Sequence, residues 1–390
     1  MREVIKNLEA SRIREVANAG LGRDDVLKFW FGESDEVTPS LIRDEAIRSL
    51  HAGDTFYSHN LGLPELREAL GRYTQGLHPA HSAQDWAERT VVTSGGVNGL
   101  MLACQALVNA GDEVVVVTPI WPNLVAQPAI MGARVRCTAL VPDALSGQWR
   151  LDLDALLAAV TSDTRMLVLN APNNPTGWTL TADEQRAILA HCRRTGTWIL
   201  ADEVYERLYF APSANGCAPS FLDCAEPDDR LVVAHSFSKS FLMTGWRLGW
   251  LVLPPSLVDA VGKLVEFNTS CAPVFVQRAA CAALAHGDTI TPDLVTHLKT
   301  CRDLLVKELS GLSGVTCSVP LGGMYAFFRI DGQTDSLATA KRLVLEAGLG
   351  LAPGSAFGAE AEGWLRWCFA TRDMGRLHEG VERLRQWLRL

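Results

Sequence analysis

No apolar run in the 390 residues approaches the roughly 20 needed to cross a bilayer as a helix, so no membrane anchor is expected. The opening MREVIKNLEASRIREVANAG mixes charged and apolar residues at helical spacing. It lacks the apolar stretch and small-residue cleavage site of a signal peptide. There is no CxxC pair, and the ten cysteines are scattered rather than regularly spaced. That excludes a disulfide scaffold and reads as reduced thiols, so a cytoplasmic location and no metal site are expected. Blocks of one charge sign are missing: 36 Lys and Arg interleave with 44 Asp and Glu for a net charge of −8, which disfavours a nucleic-acid surface. GxGxxG is absent, and with it the dinucleotide fingerprint. Without repeats, low-complexity tracts or a long linker, the chain should be compact throughout.

What is present begins with length, which suits a large domain plus a smaller one. From about residue 90, short apolar runs (TVVTS, EVVVVTP, VRCTAL, RMLVLN, TWILAD, LVVAHS) alternate with helical patterns such as VNGLMLACQALVNA, 122–131, LDLDALLAAV and 182–194. Continuous apolar strands bounded by turns are what a mostly parallel sheet covered on both faces requires. The last ninety or so residues read differently, as a helix over 292–312, the strand MYAFFRI, a helix over 337–347, the strand WLRWCFA and a terminal amphipathic helix. A second, α+β unit is expected there.

Five segments carry chemistry. SFSKSFLMTGWRLGW, residues 236–250, follows a strand and sets Lys239 among small hydroxyl residues. A lysine amine condenses with an aldehyde cofactor, and a hydroxyl-rich turn with Arg247 would hold a phosphate beside it; a solvated loop lysine is the plain alternative. TWILADEVY runs an apolar strand into Asp202, Glu203 and Tyr205. Successive strand side chains face opposite ways, so only one of the two acids can face a site, and the C-terminal edge of a parallel strand is where such proteins place ligands. A helix cap or a surface acid would explain the pair equally. Pyridoxal phosphate needs such an acid to keep its ring nitrogen protonated, and Tyr205 could donate to the ring oxygen. NAPNNPTG, residues 170–177, is a turn by composition; read functionally, Asn174 presents an amide to a ring oxygen. VVTSGGVNGL, a strand running into two glycines and a helix, suits an anion held by backbone N–H groups. In WLRWCFA, Trp364, Arg366 and Cys368 share one face. An arginine among apolar neighbours calls for an anionic partner, either a structural acid or a substrate carboxylate.

In this order and spacing, these segments together with FGESDEVTP around Gly32 and YSHNLGLPELREAL from Tyr57 resemble the class I aminotransferases, the aspartate-aminotransferase-like branch of fold-type I pyridoxal-phosphate enzymes. The resemblance covers nearly the whole chain. It implies an α/β fold: a large domain with a mostly parallel seven-stranded sheet flanked by helices, plus a smaller α+β domain built from both termini. The divisions expected are 1–45 joining the small domain, 46–290 for the large cofactor-binding domain and 291–390 for the small one. Lys239 would carry pyridoxal 5'-phosphate as an imine and then move the proton between the substrate α-carbon and the cofactor C4′. Asp202 would pair with the pyridine nitrogen, Asn174 and Tyr205 would bond the ring oxygen, and Trp121 would stack on the ring, unless it is a core tryptophan. Gly95, Gly96, Ser236, Ser238 and Arg247 would surround the phosphate. Arg366, with Asn174 and the backbone of Gly32, would take the substrate α-carboxylate. Tyr57 would reach the phosphate of a neighbouring subunit, which implies a homodimer with shared active sites.

The activity implied is transfer of the amino group of an L-α-amino acid to a 2-oxo acid by a ping-pong mechanism. Elimination, decarboxylation or oxidation on the same scaffold is an alternative. So is a non-enzymatic ligand-sensing relative, although those carry an extra N-terminal DNA-binding domain and only about thirty residues precede Gly32. One departure bears on specificity. A bacterial subgroup handling aspartate and prephenate has a lysine directly after the two glycines; Val97 stands there, with no obvious replacement cation. With Phe31 lining the side-chain pocket, a neutral or aromatic donor is expected.

Overall fold

A computed structural model describes residues 1–79 and 85–389. Seven strands form the larger sheet, in the spatial order Thr90–Thr93, Gly249–Val252, Leu231–Ser236, Trp198–Asp202, Thr164–Asn170, Glu113–Thr118, Arg134–Ala139. Val114 to Val117 and Val232 to Ala234 are each at most 1% exposed, as apolar strands covered on both faces should be. Helices such as Gly96–Leu107 and Ala182–Thr195 connect them. The latter opens on a reciprocal cap, Thr181 bonding the Glu184 backbone and Glu184 bonding back, and closes on Gly196 in the left-handed conformation.

Gly249–Val252 is the one strand the alternating pattern did not announce, and it runs antiparallel to both neighbours. Residues 237–248 are occupied by a four-residue helix and a tight turn, too little to carry the chain back along the sheet. The next strand therefore returns in the opposite sense. Its register sets Gly249 beside Thr93 and Ser236, while Asp202 pairs with Asn170 and Ala234. The C-terminal ends of the central strands thus share one edge.

The smaller sheet is antiparallel, in the order Val315–Cys317, Tyr325–Ile330, Trp364–Cys368, Ala352–Pro353, with Phe327 opposite Arg366. Helices Gly287–Ser310, Ser336–Ala347 and Gly375–Trp387 accompany it. The first begins five residues earlier than 292, because Pro292 is taken into its second turn instead of starting it. From the other end of the chain, Leu27–Lys28 pairs in parallel with Leu349–Gly350, and helix Arg12–Ala19 packs on Ser336–Ala347. Both termini therefore build this unit. Backbone bonds stitch it to the large sheet's loops: Phe210 N to Leu321 O (2.9 Å), Leu321 N to Gly177 O (3.0 Å) and Gly323 N to Leu208 O (2.8 Å). Among the described residues all ten cysteines are unpaired, and no helix is long and apolar enough to cross a membrane.

Candidate active site

Between the C-terminal edge of the large sheet and the smaller sheet lies a cavity of about 530 Å³. Strand alternation decides which acid faces it. Asp202 lines the cavity, whereas Glu203 points behind the sheet and accepts from Ser220 Oγ (2.5 Å) and Phe221 N (3.1 Å). Behind the sheet, Glu203, Glu206 and His235 cluster with His78. Burial opposes charge on His78, but bonds from Asp223 and Glu206 outweigh it and push His78 up to about 10. The cluster thus carries its own cation.

Asp202 is 2% exposed and accepts one hydrogen bond, from Val204 N at 3.3 Å. Burial raises its pKa to about 7, against the lowering effects of that bond and of the Lys239 charge. Lys239 sits on the short helix Phe237–Ser240, which starts where Ser236 caps it through Oγ and Ser238 N (3.1 Å). Its Nζ donates to Gly32 O. Burial pulls the amine down to about 8; Arg366 adds to the lowering, and Cys368, Glu33 and Asp202 oppose it.

Arg247 lines the same cavity from a left-handed backbone position, its Nη1 donating to Thr244 O (2.7 Å). The guanidinium lies across the start of helix Gly96–Leu107. A Cβ on Gly95, whose φ is +95°, would come within 2.6 Å of Arg247 Nη2, so the close approach requires glycine. With Gly96, Ser236 and Ser238 also lining it, this end offers a guanidinium, hydroxyls and a helix N-terminus to an anion.

Arg366, 2% exposed, lines the cavity as well. Its Nη1 donates to Asn174 Oδ1 (2.8 Å) and its Nη2 to Trp30 O, while its Cζ lies 4.4 Å from the Tyr325 ring centre and 4.9 Å from that of Phe357. No carboxylate lies within 4.0 Å of it among the described residues, and its buried Nε has no partner. The structural acid considered for it is not there. Asn174 is itself held by its backbone N–H on Asn170 Oδ1 (2.8 Å).

Tyr205, Trp121, Phe31 and Gly32 also line the cavity. Tyr57 does not: its side chain is 87% exposed. Sequence reasoning missed Tyr325, whose hydroxyl is 2.7 Å from that of Tyr205 and would be 2.0 Å from a Cβ on Gly32. It also missed Asn170, Glu33, Thr244 and Arg14, which line the cavity too. Tyr325 follows two glycines in a run read only as strand, and Arg14 lies on a helix far from every chemical segment. Nothing in the local sequence marks either.

The aminotransferase class I and II family model matches residues 25–384. The chain is 32% identical over 370 residues to an aspartate aminotransferase of Thermotoga maritima, covering 94% of this chain and 92% of the relative. The solved structure of an aspartate aminotransferase from Thermotoga maritima superposes with a TM-score of 0.91 at 30% identity, over the full length of both chains. The structure of an aromatic aminotransferase from Pyrococcus horikoshii gives 0.86 at 28% identity, over 96% of this chain and 98% of that one. With the match spanning nearly all of the chain, this protein belongs to the class I and II aminotransferase family and is a transaminase.

Proposed function

We propose that the cavity binds pyridoxal 5'-phosphate and that the enzyme moves the amino group of an L-α-amino acid to a 2-oxo acid by a ping-pong mechanism. The observation that carries the reading is Arg366: a buried guanidinium with no acid beside it among the described residues and an unpartnered Nε, lining the same cavity as Arg247. Every α-amino acid and every 2-oxo acid brings the carboxylate it needs. The donor set also fits the cofactor. Arg247 at the helix start, where any side chain on Gly95 would close the space, suits a phosphate. Asp202, buried with a single backbone donor, suits a protonated ring nitrogen.

When bound, the cofactor's protonated ring supplies an electron sink for the pair left at the substrate α-carbon. The chain's residues do the rest. Arg366 and Asn174 orient the substrate through its α-carboxylate, with the backbone of Gly32 closing beside it. Lys239 would anchor the cofactor and, as the base lining the cavity, would move the proton at the substrate α-carbon. An amine pulled down to about 8 carries a useful neutral fraction near neutral pH, so it can both take and return that proton. Asp202 would hold the proton on the ring nitrogen, Tyr205 and Asn174 would donate to the ring oxygen, and Trp121 would pack against the ring. Gly96, Ser236, Ser238 and Arg247 bind the phosphate. The exposed Tyr57 suits a homodimer in which it reaches across to a second copy. Ten unpaired thiols suit the cytoplasm.

Borohydride treatment of the loaded protein followed by peptide mapping should place a pyridoxyl group on Lys239. Each amino acid consumed with 2-oxoglutarate or pyruvate should yield one oxo acid. A label on another lysine would overturn the site, and release of ammonia or carbon dioxide in place of amino transfer would overturn the reaction.

A further inference from the structure

Asp202, Tyr205 and Ser236 line the cavity, and a chain neighbour of each, Glu203, Glu206 and His235, belongs to the buried cluster behind the sheet. Glu206 stands there between two imidazoles. Its Oε1 lies 3.4 Å from His235 Nδ1 and its Oε2 3.7 Å from His78 Nε2. Burial works against a charge on Glu206, but His235, His78 and Arg207 outweigh it and hold the carboxyl below the ordinary carboxylate range. Neither Glu206 Oε2 nor His235 Nδ1 has a hydrogen bond among the described residues. Apolar side chains of similar volume often fill a core as stably as such a charged group, or more so. A buried polar group short of partners therefore calls for a reason other than stability.

The backbone supplies one. Pairing between the strand that ends in Asp202 and the strand that ends in Ser236 stops at Asp202 and Ala234, with Glu203 N on Ala234 O (3.0 Å) just after it. Tyr205 and Glu206 lie beyond, in a turn closed by Glu206 N on Glu203 O (2.9 Å) and Leu208 N on Tyr205 O (2.8 Å). The ladder thus stops short of Tyr205, whose hydroxyl is met from the small sheet by Tyr325. His235, by contrast, is inside its strand, and its ring stacks on its register partner Trp250 with centres 5.0 Å apart and planes at 19°. The contact between Glu206 and His235 is a tie from the turn that carries Tyr205 to the strand end that carries Ser236. Pyridoxal phosphate bears its ring oxygen and its phosphate arm on different carbons of one rigid ring, so the groups that receive them must stand at a fixed separation.

We propose that Glu206 is a positioning residue for the cofactor: by joining the turn of Tyr205 to the strand end at Ser236 through His235, it sets the spacing between the donor to the ring oxygen and the phosphate site. The inference deepens the reading of the cavity as a pyridoxal phosphate site and rests on it.

A spacing role is tested by comparing a ligand that spans both ends with ligands that fill one. The full chain, freed of cofactor, is titrated by calorimetry with pyridoxal 5'-phosphate, with pyridoxal and with inorganic phosphate. Glu206→Gln keeps the shape and removes the charge. It should weaken pyridoxal 5'-phosphate about tenfold or more, the range for losing a charged contact, and leave pyridoxal and phosphate within about threefold of wild type. His235→Leu, which removes the tie from its other side, should give the same pattern. His235→Asn, whose side-chain amide nitrogen falls close to the place of Nδ1, should restore most of the affinity. Where Glu206→Gln does not fold, the two His235 variants carry the test. A merely structural role lowers the melting temperature without distinguishing the three ligands, so equal loss for all of them, or no loss for any, overturns the proposal. If wild type binds pyridoxal 5'-phosphate no more tightly than pyridoxal or phosphate, the cofactor reading falls and this inference with it. If wild type gains from spanning and Glu206→Gln gains as much, this inference alone fails.

Discussion

Replacing Asp202 with asparagine should stabilise the cofactor-free protein at pH 8 while removing most of its activity. The carboxyl is 2% exposed with one backbone donor at 3.3 Å, and burial lifts its pKa from 3.8 to about 7. Roughly 3 pKa units correspond to about 4 kcal/mol spent on keeping this group ionised in the folded chain. The folded protein holds this proton more tightly than the unfolded chain. Stability from this group is therefore fully present below about pH 4, falls as pH rises towards 7, and is lost above it. Asparagine has nearly the same shape and no charge, so the variant lacks that fall. Thermal unfolding of the two cofactor-free proteins from pH 4 to pH 8 should give melting curves that start together and separate, the variant ending higher. Other groups titrate in this range, but the difference between the two proteins isolates Asp202. With pyridoxal phosphate added, the wild type should recover its deficit if, as proposed, the ring nitrogen becomes the positive partner of Asp202. The variant's kcat should drop by orders of magnitude, because each lost unit of ring-nitrogen basicity is about 1.4 kcal/mol. Parallel melting curves, or a variant less stable at pH 8 than wild type, would refute the reasoning.

Arg366→Lys should keep the melting temperature within a few degrees, because no ion pair is broken, yet lower kcat/KM for every donor by about a hundredfold, since an ammonium copies the fork-shaped contact poorly. A variant that melts early but retains its kcat/KM while folded would return the residue to a structural role. Tyr325→Phe removes the one hydroxyl bonded to Tyr205 among the described residues, and should cost about 1–2 kcal/mol in stability and weaken cofactor binding several-fold, measured by melting and by cofactor titration. No change in either quantity would show that the Tyr205 hydroxyl is positioned without it.

The large sheet was legible because covered strands must be largely apolar, and five of its seven announce themselves that way; Arg134–Ala139, at the sheet's edge with no buried residue, was legible instead from the alternation of strand and helix around it. The seventh, Gly249–Val252, begins in the last two residues of GWRLGW, where a short connection rather than a hydrophobic pattern dictates its direction. That Asp202 and Lys239 reach the cavity was legible because one ends a strand and the other follows one closely, and Arg247 because it comes eight residues after Lys239 in the same hydroxyl-rich segment. Alternation narrowed Asp202 and Glu203 to one facing residue, and the bonds from Ser220 and Phe221 explain why Glu203 turns away. The partner of Arg366 could not be read, since it depends on what the rest of the fold fails to bring near. Arg14 and Tyr325 reach the cavity only because the first thirty residues and the last hundred are folded against the same edge, a fact carried by packing and by no local pattern.

The backbone stitch through Gly177, Leu208, Phe210 and residues 321–323 has a consequence for affinity. Arg366 belongs to the small sheet and Asn174 to a loop of the large one, so the grip on an α-carboxylate works like the jaws of a caliper whose gap the stitch sets. Tyr209 and Gly322 form a β-bridge at that join, and neither is among the residues that line the cavity. Whatever loosens the join would alter the gap before it altered a single contact inside the cavity, and selection acting on substrate affinity can therefore be exerted on residues that no substrate ever touches.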